Sequence, residues 1–179
     1  MIGMTVYPQA ISWIKLLTTC RLSPHVPQEP SPYMQELTRY LSNIMSSVLL
    51  GLPPQIKELI YFDSLSHISS SLLALPLDSS IRRISPQAVT AYRLDVDHLV
   101  DFVNGLDDKT LLAGLDELRQ TVELMSAAAV PGGRAEEEFF DMETGRKRFG
   151  RVDRANGAEL LEKYVLAQAS LFPAFSFTF

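Results

Sequence analysis

The sequence predicts an all-α protein, an antiparallel bundle of helices in one domain. Apolar residues recur at alternating three- and four-residue steps in four consecutive stretches, which is the spacing of one face of a helix. Prolines and glycines separate these stretches. No alternating β-branched run bounded by turn residues indicates a strand. Because such stripes pack neighbouring helices at shallow angles with short loops, a bundle is the expected architecture.

The first two helices are bounded by prolines. A proline-rich linker, Arg21 to Pro32, leads to Ser31-Pro32, which we interpret as an N-cap followed by a first-turn proline. The first helix then runs to about Leu50. The second opens with Pro53-Pro54 and ends before Pro76. Their stripes are Met34, Leu37, Leu41, Ile44 and Val48 in the first helix and Tyr61, Leu65, Ile68, Leu72 and Leu75 in the second.

Three more helices follow the same logic. Ser85-Pro86 repeats the cap-and-proline start, and the third helix continues to Gly105. Asp107 or Asp108 is the expected cap of a fourth helix, and a last helix is expected to begin near Ala155 to Ala158. The stripes are Val89, Tyr92, Val96, Leu99 and Val103 in the third, Leu112, Leu115, Leu118, Val122 and Met125 in the fourth, and Leu161 and Val165 in the last.

The composition changes between the fourth and the last helix. Pro131 to Gly133 breaks the apolar pattern, Glu136 to Glu138 is acidic, and Gly145 to Arg154 (GRKRFGRVDR) is basic. We therefore expect a charged loop at about 131–154 within a bundle spanning 31–170. The remaining parts are an N-terminal segment with the proline-rich linker at 1–30 and a tail at 171–179.

Bulk composition excludes several functional classes. A chain of 179 residues with 46% apolar and 21% charged residues can bury one folded core. The net charge of -5 argues against nucleic acid as a partner, because phosphate binding needs a basic surface. The single cysteine, Cys20, excludes an intrachain disulfide and fits a reducing cytosol. Ala10 to Leu17 is apolar but too short to span a bilayer, and it lacks the features of a signal peptide.

The polar residues give little support for catalysis. His25, His67, His98 and Cys20 form no metal-ligand spacing, and no G-x-S-x-G or Walker-type phosphate loop is present, so we expect neither an enzyme nor a cofactor. Asp63 and His67 lie one turn apart on the second helix and can form a hydrogen-bonded pair, two metal ligands or the site of a small all-α enzyme. We favour a local pair on a partly exposed face.

Two charged clusters are candidates for partner binding. Thr90, Arg93, Asp97 and Asp101 occupy the polar face of the third helix, for which a solvated face is the simpler interpretation. The basic cluster can contact anionic lipid headgroups or can balance the acidic run before it, and composition favours the second interpretation. Its members are Arg146, Lys147, Arg148, Arg151 and Arg154, with Phe149 among them.

Four blocks in this order resemble the C-terminal helical domain of the Sec15 family, the Rab-binding subunit of the exocyst, in a fungal form. They lie between about Pro30 and Lys163 and read GLPPQIKELIYFDSLSHISSSLLALPL, IRRISPQAVTAYRLDVDHLVDFV, LDELRQTVELM and FGRVDRANGAELLEK. Each block alone is only a helix pattern, whereas the ordered set is specific. The resemblance implies that segments 1–30 and 171–179 are divergent and that the chain is a truncated or partial form of a longer helical rod.

The resemblance also implies a function. The family is a non-catalytic component of the exocyst, which tethers secretory vesicles at the plasma membrane before fusion. The implied partners are a Rab-type GTPase in its GTP form and other exocyst subunits. The implied location is the cytoplasm, peripheral at secretory vesicles and at sites of polarised exocytosis on the plasma membrane. Family residues tied to the GTPase contact align with Arg93 on the third helix, flanked by Tyr92 and Asp97. The alternative is a helical scaffold that binds anionic membrane lipids through residues 146–154.

Overall fold

The computed structural model describes residues 27–48, 50–106, 109–130 and 133–169. Within these ranges the chain forms helices and no strand, which confirms the predicted all-α bundle. The elements are α1 (Pro32–Asn43) with a π-helical turn (Ile44–Val48), α2 (Pro54–Leu77), α3 (Pro86–Asn104), α4 (Lys109–Ala113), α5 (Asp116–Ala128), α6 (Ala135–Phe140), α7 (Thr144–Phe149) and α8 (Arg154–Ala169).

Serine caps start α1 and α3 as predicted. The Ser31 hydroxyl accepts a hydrogen bond from the backbone N–H of Met34 at 3.2 Å, and the Ser85 hydroxyl accepts one from Ala88 at the same distance. Each serine is followed by a proline in the first turn, where the missing N–H costs nothing. The α-helical geometry of α1 ends at Asn43 and gives way to the π-helical turn, so the first helix is shorter than predicted.

Helix α2 contains Pro76, whereas the predicted end lay before it. A proline cannot donate to the carbonyl four residues earlier, here that of Leu72. The hydroxyl of Tyr92 donates to this oxygen instead, at 2.8 Å. At the end of the helix, Lys163 Nζ donates to the carbonyl oxygens of Pro76 and Asp78 at 3.1 and 3.2 Å. Side chains distant in sequence therefore satisfy carbonyls that α2 cannot satisfy itself.

The predicted fourth helix is divided into α4 and α5. Between them the N–H groups of Gly114 and Leu115 donate to the carbonyls of Leu111 and Leu112, at 3.2 and 2.9 Å. These hydrogen bonds between residues three apart form a tight turn. Before the turn the fully buried residue is Leu111, whereas the predicted stripe contained Leu112, which is only half-buried. Leu111, Leu115 and Leu118 are all fully buried on either side of the turn.

The region expected as a charged loop at about 131–154 contains two short helices, α6 and α7. Phe139 and Phe149 are 3% and 2% exposed, and their ring centroids lie 6.1 Å apart. Helices of six residues are not stable alone, so packing against the rest of the molecule must hold them. The periodicity of so short a segment could not show this. Helix α8 begins at Arg154, where Asp153 Oδ1 accepts from the N–H groups of Ala155 and Asn156.

The buried residues form two apolar clusters. The main cluster joins the predicted stripes of α2, α3 and α5, and the second cluster joins α5 to α6, α7 and α8. Helix α5 therefore contributes to both clusters. The second cluster consists of Leu124, Ala135, Phe139, Phe149, Val152 and Leu161.

Some expectations concern residues outside the described ranges. These are the segment 1–26 with Ala10 to Leu17, Cys20 and His25, the cap at Asp107 or Asp108, and the tail at 171–179. Among the helices that are described, none is long and apolar enough to cross a membrane.

Candidate partner-binding groove

Helices α3 and α5 border a surface groove of about 520 Å³. Arg93 and Asp97 line it from α3, and Arg119 and Glu123 line it from α5. Val96 and Val122, which are 1% and 4% exposed, close it from below. The groove thus combines an apolar base with charges of both signs at its edges. Ser126, Ala127, Val130 and Arg148 complete its lining.

Arg93 and Asp97 form an exposed ion pair on the edge of this groove. The guanidinium Nε lies 3.5 Å from the Asp97 carboxylate, and both side chains are 60% exposed. An ion pair this exposed contributes little to stability, because water and salt screen it. The two side chains can therefore exchange their mutual contact for contacts with a partner at little cost.

Tyr92 does not fit the contact predicted for it. Its side chain is 1% exposed and belongs to the main apolar cluster, and its hydroxyl donates to Leu72. Burial also raises the pKa of the Tyr92 phenol, with a smaller contribution from the Asp95 charge. Tyr92 is thus a core residue next to Arg93 in sequence, and we correct its assignment as a surface contact.

The basic cluster of the sequence is divided by the structure. Arg148 turns toward the groove and donates to Glu123 at 2.7 Å and to Glu138 at 2.5 Å, which links α7 to α5 and α6. Hydrogen bonding to Glu123 is the main cause that raises the pKa of the Arg148 guanidinium. Arg146 and Lys147 are exposed on the same helix, and they form no ion pair with any described residue.

Asp95, on the buried side of α3, is a residue that the sequence analysis missed. It is fully buried, and its Oδ1 accepts from the N–H of Ser31 at 2.5 Å, while Oδ2 has no hydrogen-bond partner among the described residues. Burial raises the pKa of this carboxyl group. The sequence did contain a signal for this position. Asp95 lies three residues after Tyr92 and four before Leu99, so the helical spacing places an acidic residue on the apolar stripe.

A polar link close to Asp95 also joins α1 and α3. His98 Nε2 lies 3.0 Å from the hydroxyl of Thr38, which is itself buried and donates to backbone carbonyls of α1. These contacts are internal to the bundle. Asp95 and His98 therefore hold α1 against α3 and do not form part of the groove.

The pair Asp63 and His67 is exposed on α2, in agreement with the surface position that we favoured. In the parts of the chain that the structure describes, no group of three or more histidine, cysteine, aspartate or glutamate residues is arranged to hold a metal ion. The structure therefore adds nothing in favour of the small-enzyme interpretation.

The comparisons with known proteins agree with one another. The family model described as "Exocyst complex subunit Sec15 C-terminal" matches residues 21–163. This range ends at the same residue as the four-block resemblance and starts nine residues before it. The exocyst complex component sec15 of Schizosaccharomyces pombe is 29% identical over 142 residues, covering 78% of this chain and 18% of that protein.

Plant and animal relatives match as well. The exocyst complex component SEC15A of Arabidopsis thaliana is 25% identical, covering 78% of this chain and 18% of the relative. The human exocyst complex component 6 is 31% identical over 99 residues, covering 52% of this chain and 12% of that protein. The chain thus spans less than a fifth of the length of these curated relatives. No solved structure matches.

The family match covers most of the chain, including all of α1 to α7 and α8 as far as Lys163. The match includes the second apolar cluster, the main cluster apart from Tyr164, and the groove between α3 and α5. The chain belongs to the Sec15 family of exocyst subunits and corresponds to its C-terminal domain.

Proposed function

We propose that this chain acts in vesicle tethering as part of an exocyst subunit and binds a Rab-type GTPase in its GTP form. Membership of the Sec15 family supports the first part, together with the names of its relatives. On this proposal the domain is a non-catalytic binding module that also contacts other exocyst subunits. It works in the cytoplasm, at the surface of secretory vesicles and at sites of polarised exocytosis on the plasma membrane.

The groove between α3 and α5 is the proposed GTPase-binding surface. The observation that supports it is the exposed ion pair of Arg93 and Asp97 beside a base of buried valines. Interface energy is usually concentrated in a few residues, and arginine is one of the commonest among them. Val130, an apolar residue that is 57% exposed, extends the groove at one end. A partner can thus bury apolar surface in the centre and pair with charges at the edge.

A pull-down with GTP-loaded and GDP-loaded Rab-type GTPases tests this proposal. We expect the chain to retain at least one GTPase in its GTP form and much less of the same GTPase in its GDP form. Equal retention of both forms, or retention of neither across the panel, would contradict the effector role.

Charge reversal locates the contact. Arg93→Glu and Asp97→Lys should each weaken binding by about tenfold or more. Each substitution places a side chain against a GTPase group of the same charge, where the native side chain has the opposite charge. Arg39 and Glu36 form an exposed ion pair of similar kind on α1, outside the groove, so Arg39→Glu and Glu36→Lys are matched controls. Equal loss in both pairs would show a general charge effect and would exclude this groove.

A further inference from the structure

A second concave surface lies on the far side of α7, away from the groove. It is a pocket of about 220 Å³ that Arg146 of α7 and Arg154 of α8 line together. Phe139 and Phe149, both buried, form its apolar base, and Met142 stands at its edge. The sequence separates the two arginines by eight positions, and only the turn between α7 and α8 brings them to one pocket.

The positive charge at this pocket is not neutralised by ion pairs. Arg146, Lys147, Arg151 and Arg154 are exposed, and none of them forms an ion pair with a described residue. Arg148 differs, because its guanidinium forms ion pairs with Glu123 and Glu138. The basic cluster identified in the sequence therefore loses Arg148 and keeps Arg146, Lys147, Arg151 and Arg154.

The acidic residues within 141–154 reduce this charge without cancelling it. Asp141 accepts from the N–H groups of Glu143 and Thr144, and Asp153 accepts from those of Ala155 and Asn156, so both carboxylates face the backbone of a helix start. Glu143 is exposed and remains the one acid of residues 141–154 without such a bond. Five basic residues oppose three acidic ones in residues 141–154. Of the acidic run on α6 that precedes them, Glu137 pairs with Arg134 and Glu138 with Arg148, and Glu136 is exposed.

Exposed apolar side chains border the same surface. Met142 is 78% exposed, more than any other large apolar side chain among the described residues, and Phe140 is 45% exposed. Cations next to exposed methionine and phenylalanine fit the boundary of an anionic bilayer, where phosphates meet the first acyl carbons. A partner surface that offers acidic groups alone would pair with the arginines and leave Met142 without an apolar contact.

We infer that the surface formed by Met142, Arg146, Lys147 and Arg154 binds anionic membrane lipids, with the two arginines on one lipid phosphate and Met142 inserted beside it. This site is separate from the proposed GTPase groove, and its test does not require the GTPase. It would give the domain a direct contact with the membrane on which it acts.

Flotation of the full chain with vesicles tests the inference. Vesicles of phosphatidylcholine with about 30% phosphatidylserine should carry the chain upward, and pure phosphatidylcholine vesicles should not. Raising the salt to about 0.5 M should release it, because the screening length then falls below 5 Å. The double variant R146E/R154E should bind the anionic vesicles at least about tenfold more weakly.

Three further variants make the result specific. R82E/R83E changes the net charge equally at two exposed arginines between α2 and α3, and it should alter binding less than about twofold. Met142→Asp should weaken binding to anionic vesicles, and Glu143→Gln should strengthen it by removing the opposing charge. Circular dichroism and thermal melting confirm that each variant is folded.

The inference is wrong if R82E/R83E weakens binding as much as R146E/R154E, if neutral vesicles bind equally well, or if Glu143→Gln does not strengthen binding. If the chain binds no vesicles but binds polyglutamate through Arg146 and Arg154, the partner is an acidic protein and the lipid-binding inference is refuted.

Discussion

The hydroxyl of Tyr92 on α3 donates to the carbonyl oxygen of Leu72 on α2 at 2.8 Å, the oxygen that Pro76 cannot bond. One side chain thus compensates for a proline sixteen residues earlier on a different helix. This relationship explains why α2 passes through Pro76 and why Tyr92 is buried, although its neighbour Arg93 is exposed.

Tyr92→Phe should destabilise the chain because it leaves the Leu72 carbonyl buried without a donor. An unsatisfied buried acceptor costs about 1–3 kcal/mol, which urea unfolding can measure. Pro76→Ala supplies the missing N–H, so Tyr92→Phe should cost about 1 kcal/mol less in that background. A double-mutant cycle with no coupling between the two substitutions would refute the compensation.

Lys163→Met should also destabilise the chain. Lys163 is 8% exposed, and its ammonium group donates to the carbonyls of Pro76 and Asp78 and pairs with Glu159 at 2.7 Å. We expect a loss of about 1–3 kcal/mol in the free energy of unfolding, mostly from the two carbonyls. The exposed Lys147, changed to Met, is the matched control and should shift stability by less than about 0.5 kcal/mol. Equal effects at the two positions would contradict this account.

Gly157→Ala should destabilise the second apolar cluster. A Cβ atom at Gly157 would lie 2.3 Å from a ring carbon of Phe139, so the ring or the helix must move. Overpacking of this kind typically costs about 1–3 kcal/mol, seen as a lower melting temperature. Gly51→Ala is the control, because no atom lies within 4 Å of its Cβ position. In the Phe139→Leu background Gly157→Ala should cost less; an unchanged cost would exclude the ring as the cause.

Asp95→Asn should change the dependence of stability on pH. Burial raises the pKa of the Asp95 carboxyl in the folded chain, opposed by the Ser31 hydrogen bond and the charge of His98. The folded state then binds the proton more tightly than the unfolded state. The resulting stabilisation is full below the unfolded pKa of about 3.9 and is lost as the pH rises through the folded value.

Asparagine removes this loss, since it is uncharged and its oxygen can still accept from Ser31. Asp95→Asn should therefore gain stability relative to the parent chain as the pH rises from about 4 to 7, measured by urea unfolding at each pH. The comparison isolates Asp95 from Asp78 and Asp141, whose pKa values are lowered by hydrogen bonds and whose contributions have the opposite sign. A relative loss of stability over that interval would show that the charged carboxylate is favourable.

Local sequence signals predicted the parts of the fold that depend on neighbouring residues. The caps at Ser31 and Ser85 and the stripes of α2 and α3 are of this kind. Contacts between distant residues were not predictable in this way. The continuation of α2 past Pro76 depends on Tyr92 and Lys163, and no pattern within α2 contains that information.

The same distinction applies to the candidate sites. The spacing of Arg93 and Asp97 placed them on the polar face of α3, and the groove beside them became visible only when α5 was in position. In the basic cluster, sequence proximity grouped Arg148 with Arg146. The structure separates them because they leave α7 on different sides, one toward Glu123 and the other toward Arg154.

Photo-crosslinking from the groove tests the central claim most directly. Val130→p-benzoylphenylalanine places the crosslinker at the groove and leaves Arg93 and Asp97 unchanged, and Glu36→p-benzoylphenylalanine places it on α1 outside the groove. With the GTP-loaded Rab-type GTPase that the pull-down retains, we predict a covalent product from position 130 and little from position 36. Equal products from both positions, or a product from position 36 alone, would contradict the proposal that the groove between α3 and α5 binds the GTPase.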